Sequence, residues 1–161
     1  MDIAKLSNKY IVKYLDKSNL DEIVDIFINN PQFYSYTDAK PTKEQAISDM
    51  NITPAGIEIT KKHYVGFYDN NELIAIMDLI DGYPTNDIAY IGFFMMKKSY
   101  QRKGIGSSII NNVEKYLKDI GKNKVRLAID KGNPESSSFW NKLGYIVIRE
   151  TDKKLESEKI L

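Results

Sequence analysis

The sequence predicts an α/β fold of one domain, a mixed, mostly antiparallel sheet flanked by helices on both faces. Three observations lead there. The hydrophobic period is helical over the first third of the chain, strand-like in the middle, and alternating thereafter. Turn residues at Asp69-Asn70-Asn71 and Gly82-Tyr83-Pro84 separate three consecutive apolar runs, which marks an antiparallel meander. A strand–helix–strand–helix–strand pattern follows, whose crossovers cover both faces of a sheet. At 161 residues, with no repeat and no Gly/Ser/Pro-rich linker, the chain reads as a single unit over 1–161.

Element by element, Tyr10 to Leu15 alternates loosely and reads as a first strand. Leu20, Ile23, Val24 and Phe27 share a helical face, with Asn19 and Glu22 at capping-box spacing and Pro31 as the stop. Thr42 with Gln45 opens a second short helix carrying Ala46, Ile47 and Met50, closed before Pro54. His63–Tyr68, Leu73–Ile80 and Ile88–Met96 form the meander. Ile105, Ile109, Val113, Tyr116, Leu117 and Ile120 share the face of a long helix, and Gly121 stands where a C-terminal cap belongs. Val125–Ile129 is an apolar strand, Asn133-Pro134 opens a last helix and Gly144 ends it. Tyr145–Ile148 is another strand. The tail from Thr151 is charged, and only Ile160-Leu161 suggests a short final pairing.

Composition excludes much chemistry. With no Cys there is no disulfide, thiolate metal site or cysteine nucleophile. One histidine, His63, cannot form a His-cluster zinc site. A formal net charge of +1 favours neither nucleic acid nor an anionic membrane as partner. The longest nearly apolar stretch, Tyr90–Met96, falls far short of the roughly 20 residues that span a bilayer. The N-terminus has no signal-peptide pattern, so the expected location is the cytoplasm.

The stretch that carries chemistry is Lys97 to Ser107, between an apolar strand and a helix. A helix N-terminus offers unpaired N–H donors and partial positive charge. Gly104 and Gly106 let an anion approach the main chain, and Lys97, Lys98, Arg102 and Lys103 add local positive charge. This is a phosphate cradle. The dinucleotide fingerprint fails because position 109 is Ile, and the Walker pattern fails because Ser107-Ser108 follows Gly106.

Gln101-Arg102-Lys103-Gly104-Ile105-Gly106 resembles the Gln/Arg-x-x-Gly-x-Gly/Ala motif of the GNAT superfamily of N-acetyltransferases. The resemblance covers most of the chain: the meander, the motif helix, the following strand, and Asn133 leading to Phe139-Trp140-Asn141-Lys142-Leu143-Gly144-Tyr145 stand in family order. It implies the acyl-CoA N-acyltransferase fold, with acetyl-CoA as co-substrate, an amine as acceptor and no metal. It further implies that Gln101, Arg102, Lys103, Gly104, Ile105, Gly106 and Ser107 hold the pyrophosphate. Phe94, Met95 and Met96, on a strand that bulges and splays from its neighbour, would accompany the pantetheine. Asn133, Phe139 and Trp140 would line the cofactor, the two aromatics chiefly by packing.

Two positions depart from the family pattern. Where many members carry a proton-donating Tyr in the last helix, this chain has Trp140, and where some carry a general-base Glu it has Tyr90. Tyr90 and Asp78 are therefore the catalytic candidates, acting through ordered water, with Asp81 on the opposite strand face from Asp78. Phe33-Tyr34-Ser35-Tyr36 reads equally as a packed loop or as acceptor contacts. Lacking a cysteine for an acyl-enzyme, the chain would transfer acetyl directly to the primary amine of a small molecule. A protein N-terminal or lysine acetyltransferase and an acyl-CoA-binding sensor stay open beside it. The unfinished pairing at Ile160-Leu161 would allow a homodimer.

Overall fold

The computed structural model describes residues 1–161. Seven strands form one sheet: β1 (Ile11–Tyr14), β2 (Lys62–Asp69), β3 (Glu72–Asp81), β4 (Ile88–Met96), β5 (Lys124–Asp130), β6 (Ile146–Glu150) and β7 (Lys154–Ile160). Their order is β1-β2-β3-β4-β5-β7-β6. Every neighbouring pair is antiparallel except β4 and β5, which run parallel around the connecting helix. The helices are α1 (Leu20–Ile28), α2 (Pro31–Tyr34), α3 (Lys43–Asn51), α4 (Ile105–Asp119) and α5 (Pro134–Lys142). This is the mixed sheet that the switching period predicts. No helix is long and apolar enough to cross a membrane.

Each face of the sheet carries its own core. Val65, Phe67, Met77, Leu79, Ala89 and Ile91 pack against Ile109, Ile110, Val113 and Leu117 of α4 and Trp140 of α5. On the other face Tyr64, Ile76 and Met95 meet Ile23, Ile26 and Phe27 of α1 and Ala46 of α3. Burying Ile23, Ile26 and Phe27 contributes about 1.5–3 kcal/mol each, and this anchors α1 despite its short length. The Thr42 hydroxyl caps α3 at the Gln45 N–H, 3.2 Å away, as its spacing predicts.

Three local features differ from the sequence reading. The capping box lies one step upstream: Asp16 accepts from the Ser18 N–H at 2.7 Å, and the Asn19 side chain accepts from the Asp16 N–H at 3.1 Å. With its oxygen so engaged, Asn19 makes no side-chain cap on α1. Pro31 does not merely stop a helix, because it occupies the first turn of α2, where a missing N–H costs nothing. The charged tail is a full strand.

That strand, β7, lies between β5 and β6, so Ile160-Leu161 is no unfinished pairing awaiting a second subunit. Its charges are matched across the ladder. Glu158 meets Lys124 at 2.8 Å and Arg126 at 2.5 Å, while Glu156 meets Arg149 at 3.0 Å. Cross-strand pairing of opposite charges replaces the apolar alternation that would otherwise identify a strand. At the end of α5, the Gly144 N–H donates to Asn141 and the Tyr145 N–H to Trp140, closing the helix with a left-handed glycine. Tyr145 thereby stacks edge-on against Trp140, with centroids 5.0 Å apart.

Candidate active site

The site begins with a fault in the sheet. Asp78 pairs with Phe93 and Leu79 with Ile91, so Gly92 is the extra residue of a bulge in β4. A Cβ there would stand 2.6 Å from Oδ2 of Asp78, so any other residue must displace that carboxylate. Pairing of β4 with β5 covers Ile88–Ile91 against Lys124–Leu127 and then stops, although β5 continues to Asp130 against β7. Beyond Ile91 the two strands diverge, as the family resemblance implies.

A cleft of about 250 Å³ occupies the divergence. Ile91, Gly92, Phe94, Leu127, Ile129 and Trp140 wall one end, and Phe33, Tyr34, Gln45 and Asp49 wall the other. The Lys97 N–H donates to Ile74 on β3 at 2.8 Å. Strand alternation therefore turns the main-chain groups of Phe94 and Met96 toward the open side. The Met96 carbonyl already accepts from Asn30 at 3.1 Å and Gln101 at 3.0 Å, which leaves its N–H and both groups of Phe94 for a ligand. Met95 points the other way, buried in the core beneath α1 and paired with Ile76.

At the adjoining end of β4, Gly104 precedes α4 with φ +75 and no side-chain cap. Nothing lies within 4 Å of where its Cβ would be. The first N–H groups of α4, on Ile105, Gly106 and Ser107, have no partner within the helix. A Cβ on Gly106 would meet Phe139 and Met96 at 3.4 and 3.5 Å, so the start of α4 lies directly against both side chains. Ile105 packs on the core. Gln101 turns inward, donating to Asn30 at 2.6 Å, and so fixes the loop to the end of α1.

The basic cluster is smaller than the sequence count. Lys97 is engaged by Glu72 at 2.9 Å and Asp25 at 3.7 Å. Lys98, Arg102 and Lys103 are exposed and enter no ion pair, so three cations remain for an anionic ligand.

Asn133 is buried and caps α5, accepting from the Ser136 N–H at 3.0 Å, and both residues line the cleft. Trp140 lies in an aromatic stack with Phe94, Phe139 and Tyr145, its centroid 5.0 Å from Phe139 and from Tyr145. The indole is a packing group that shapes the cleft wall.

Neither catalytic candidate lines the cleft. Asp78 lies behind Gly92, its Oδ2 held by the Lys62 ammonium at 2.6 Å, and burial raises its pKa despite that partner. Tyr90 packs edge-on against Tyr83, and burial pushes its pKa up to about 12. Asp81 takes the opposite face, as alternation predicts, and pairs with Lys122. His63 is buried away from the cleft, with Nδ1 2.7 Å from the Tyr14 hydroxyl.

Besides Asp130, which Lys154 pairs at 2.6 Å, the carboxylate that does reach the cleft is Asp49, which the sequence reading missed. It accepts from Gln45 Nε2 at 2.7 Å, and burial raises its pKa against that hydrogen bond. The available signal was positional: Gln45 and Asp49 flank Ala46 and Met50, the residues with which α3 meets the sheet.

With this geometry established, known proteins supply a comparison. A profile of the acetyltransferase (GNAT) family matches residues 20–145. No curated protein sequence matches the chain. Among solved structures, an acetyltransferase from Thermus thermophilus superposes with a TM-score of 0.80 at 14% identity, covering 95% of this chain and 97% of its own. The PaiA N-acetyltransferase of Thermoplasma acidophilum, in complex with coenzyme A, gives 0.72 at 18% identity, covering 94% and 99%. The ribosomal-protein-S18-alanine N-acetyltransferase of Escherichia coli gives 0.66 at 14%, covering 94% and 93%. At these identities the solved structures establish the fold, and the profile match over most of the chain establishes the family. The chain belongs to the acetyltransferase (GNAT) family.

Proposed function

We propose that residues 1–161 act as one N-acetyltransferase unit, moving acetyl from acetyl-CoA directly to the primary amine of a small molecule. The observation that carries this reading is the opening of the β4–β5 split beside the bare N-terminus of α4. The residues present fit acetyl-CoA. Gly104 leaves room at the helix start, Lys98, Arg102 and Lys103 lack ion-pair partners, and the open main-chain groups of Phe94 suit a pantetheine amide. Asn133, Phe139 and Trp140 shape the wall beside it.

When bound, acetyl-CoA supplies an activated thioester carbonyl. The chain's residues orient the two reactants. The amine nitrogen forms the new bond to the carbonyl carbon, the carbon–sulfur bond breaks, and sulfur leaves with the electron pair. The proton lost from nitrogen passes to water in the open cleft. Tyr90 packs on Tyr83 outside the cleft and takes no part in the transfer, and Asp78 acts from behind Gly92 by holding Lys62. No cysteine is available for an acyl-enzyme, so transfer proceeds in one ternary complex.

Free thiol release from acetyl-CoA tests the reading when small amines, amino acids and lysine-containing peptides are offered in turn. Turnover with small amines is expected. Turnover confined to peptides would favour a protein acetyltransferase, and cofactor binding without any turnover would favour a sensor.

A further inference from the structure

The charged groups that line the cleft number three: Asp49, Asp130 and Lys154. Asp130 and Lys154 neutralise one another at 2.6 Å. Asp49 enters no ion pair, and its one hydrogen-bond partner is the neutral amide of Gln45. The carboxylate stands among aromatic side chains. Phe33, Tyr34 and Phe93 line the same end of the cleft, with Phe33 5.1 Å from Tyr34 and 5.6 Å from Phe93 between ring centroids. An unpaired carboxylate amid aromatic rings attracts a cation twice over, by charge and by the ring faces. The buried Lys62 ammonium touches Asp78 at 2.6 Å and its charge also reaches Asp49, so one cation faces two carboxylates and the group keeps one net negative charge.

We propose that Asp49 draws in the acceptor as its ammonium, which gives one proton to cleft water before attacking as the neutral amine, and that the acceptor is a small monoamine whose remaining body is apolar and packs on Phe33, Tyr34 and Phe93. The inference rests on the acetyl-transfer reading above and adds the substrate class. It follows from counting charges. With the β4–β5 split given to the donor, the acceptor must enter from the Asp49 end, where one uncompensated negative charge matches one positive charge. A polyamine or aminoglycoside would bring further ammonium groups to a wall whose other carboxylate is already neutralised.

The test is acetyl transfer to phenethylamine compared with spermidine, alongside the acetyl-CoA-induced shift in melting temperature. The wild-type protein is expected to show a higher kcat/KM for phenethylamine. Asp49→Asn should raise the KM for phenethylamine about tenfold or more, as loss of a charge-assisted contact does, with kcat within a few-fold and the acetyl-CoA shift unchanged. Asp49→Glu should recover part of the loss. Preference for spermidine, or a KM unmoved by Asp49→Asn, overturns the monoamine assignment while the acetyl-CoA shift keeps the transfer reading intact. Absence of that shift in the wild-type protein overturns both. The wild-type ranking needs no variant, so it decides the question even if a substitution fails to fold.

Discussion

At the α4 end of the cleft the groups offered to a ligand are main-chain N–H donors, and the sequence specifies them by leaving side chains out at Gly104 and Gly106. At the α3 end they are side chains, Asp49 and Gln45 beside Phe33 and Tyr34, carried on two short helices. Backbone recognition demands particular φ angles and close approach, which few residue types tolerate, so it leaves a motif. Side-chain recognition demands only that some carboxylate or ring reach the right place, which many sequences satisfy. The donor end is therefore readable in one dimension and the acceptor end only in three.

The largest stability effect is expected behind Gly92, between the two ends, where a buried ion pair supports the wall. Asp78→Ala leaves the Lys62 ammonium, whose side chain is 1% exposed, without its partner. Urea unfolding should show a loss of about 3–5 kcal/mol with an unchanged slope. A loss below about 1 kcal/mol would mean that water reaches Lys62 and that the pair is no scaffold.

Gly92→Ala is expected to come next, because the bulge joins the two ends. Its methyl group would overlap Asp78, so neighbouring atoms must move, at about 1–3 kcal/mol. Acetyl-CoA should also bind more weakly, since the divergence of β4 from β5 starts there. Unchanged stability and KM would separate the bulge from the site.

Trp140→Phe keeps an aromatic ring in the stack with Phe139 and Tyr145. Turnover within about tenfold of wild type is expected, and a loss of several orders with the fold intact would give the indole a chemical role.

Asp49→Asn should have the smallest effect on stability, and its sign is informative. Burial raises the Asp49 pKa, so the folded state binds that proton more tightly than the unfolded chain does. The resulting stabilisation is complete below the unfolded carboxylate pKa of about 3.9 and is lost as pH rises through the folded value. Above the folded value the wild-type protein has lost it, so Asp49→Asn should gain in melting temperature relative to wild type as the pH rises. The gap should close as the pH falls into the carboxylate range. A variant that instead loses ground to wild type as the pH rises would indicate a carboxylate satisfied by its surroundings rather than one awaiting a cation.

Most of the fold was legible because its apolar periods were unmixed. The meander, the long helix α4 and the apolar β5 each carry one uninterrupted pattern. The strand β7 was not legible, since Lys-Leu-Glu-Ser-Glu-Lys-Ile has the composition of a solvated tail. Only the positions of Lys124, Arg126 and Arg149 on neighbouring strands make those glutamates strand residues. The capping box failed for a similar reason: Asp16 and Asn19 satisfy the same spacing rule as Asn19 and Glu22, and only the backbone decides between them. At the site, the glycine loop and the splayed strand are legible in the sequence, while Tyr90 is a candidate through the family's general-base position and Asp78 through its place in a strand. What moves them from the cleft is the Gly92 bulge and the Lys62 pair, neither of which has a one-dimensional signature.

Titration of acetyl-CoA into the wild-type protein and into Gly104→Glu tests most directly whether the α4 N-terminus and the split sheet form the donor site. The position is open to solvent and already left-handed at φ +75, so strain from a side chain there should cost only about 1 kcal/mol or slightly more, which urea unfolding can check. The new carboxylate would occupy the space and oppose the charge that the helix start prefers to hold. Expected is saturable binding by the wild-type protein and at least a roughly hundredfold weakening in the variant, with the fold retained. Equal affinity in both proteins would contradict the assignment.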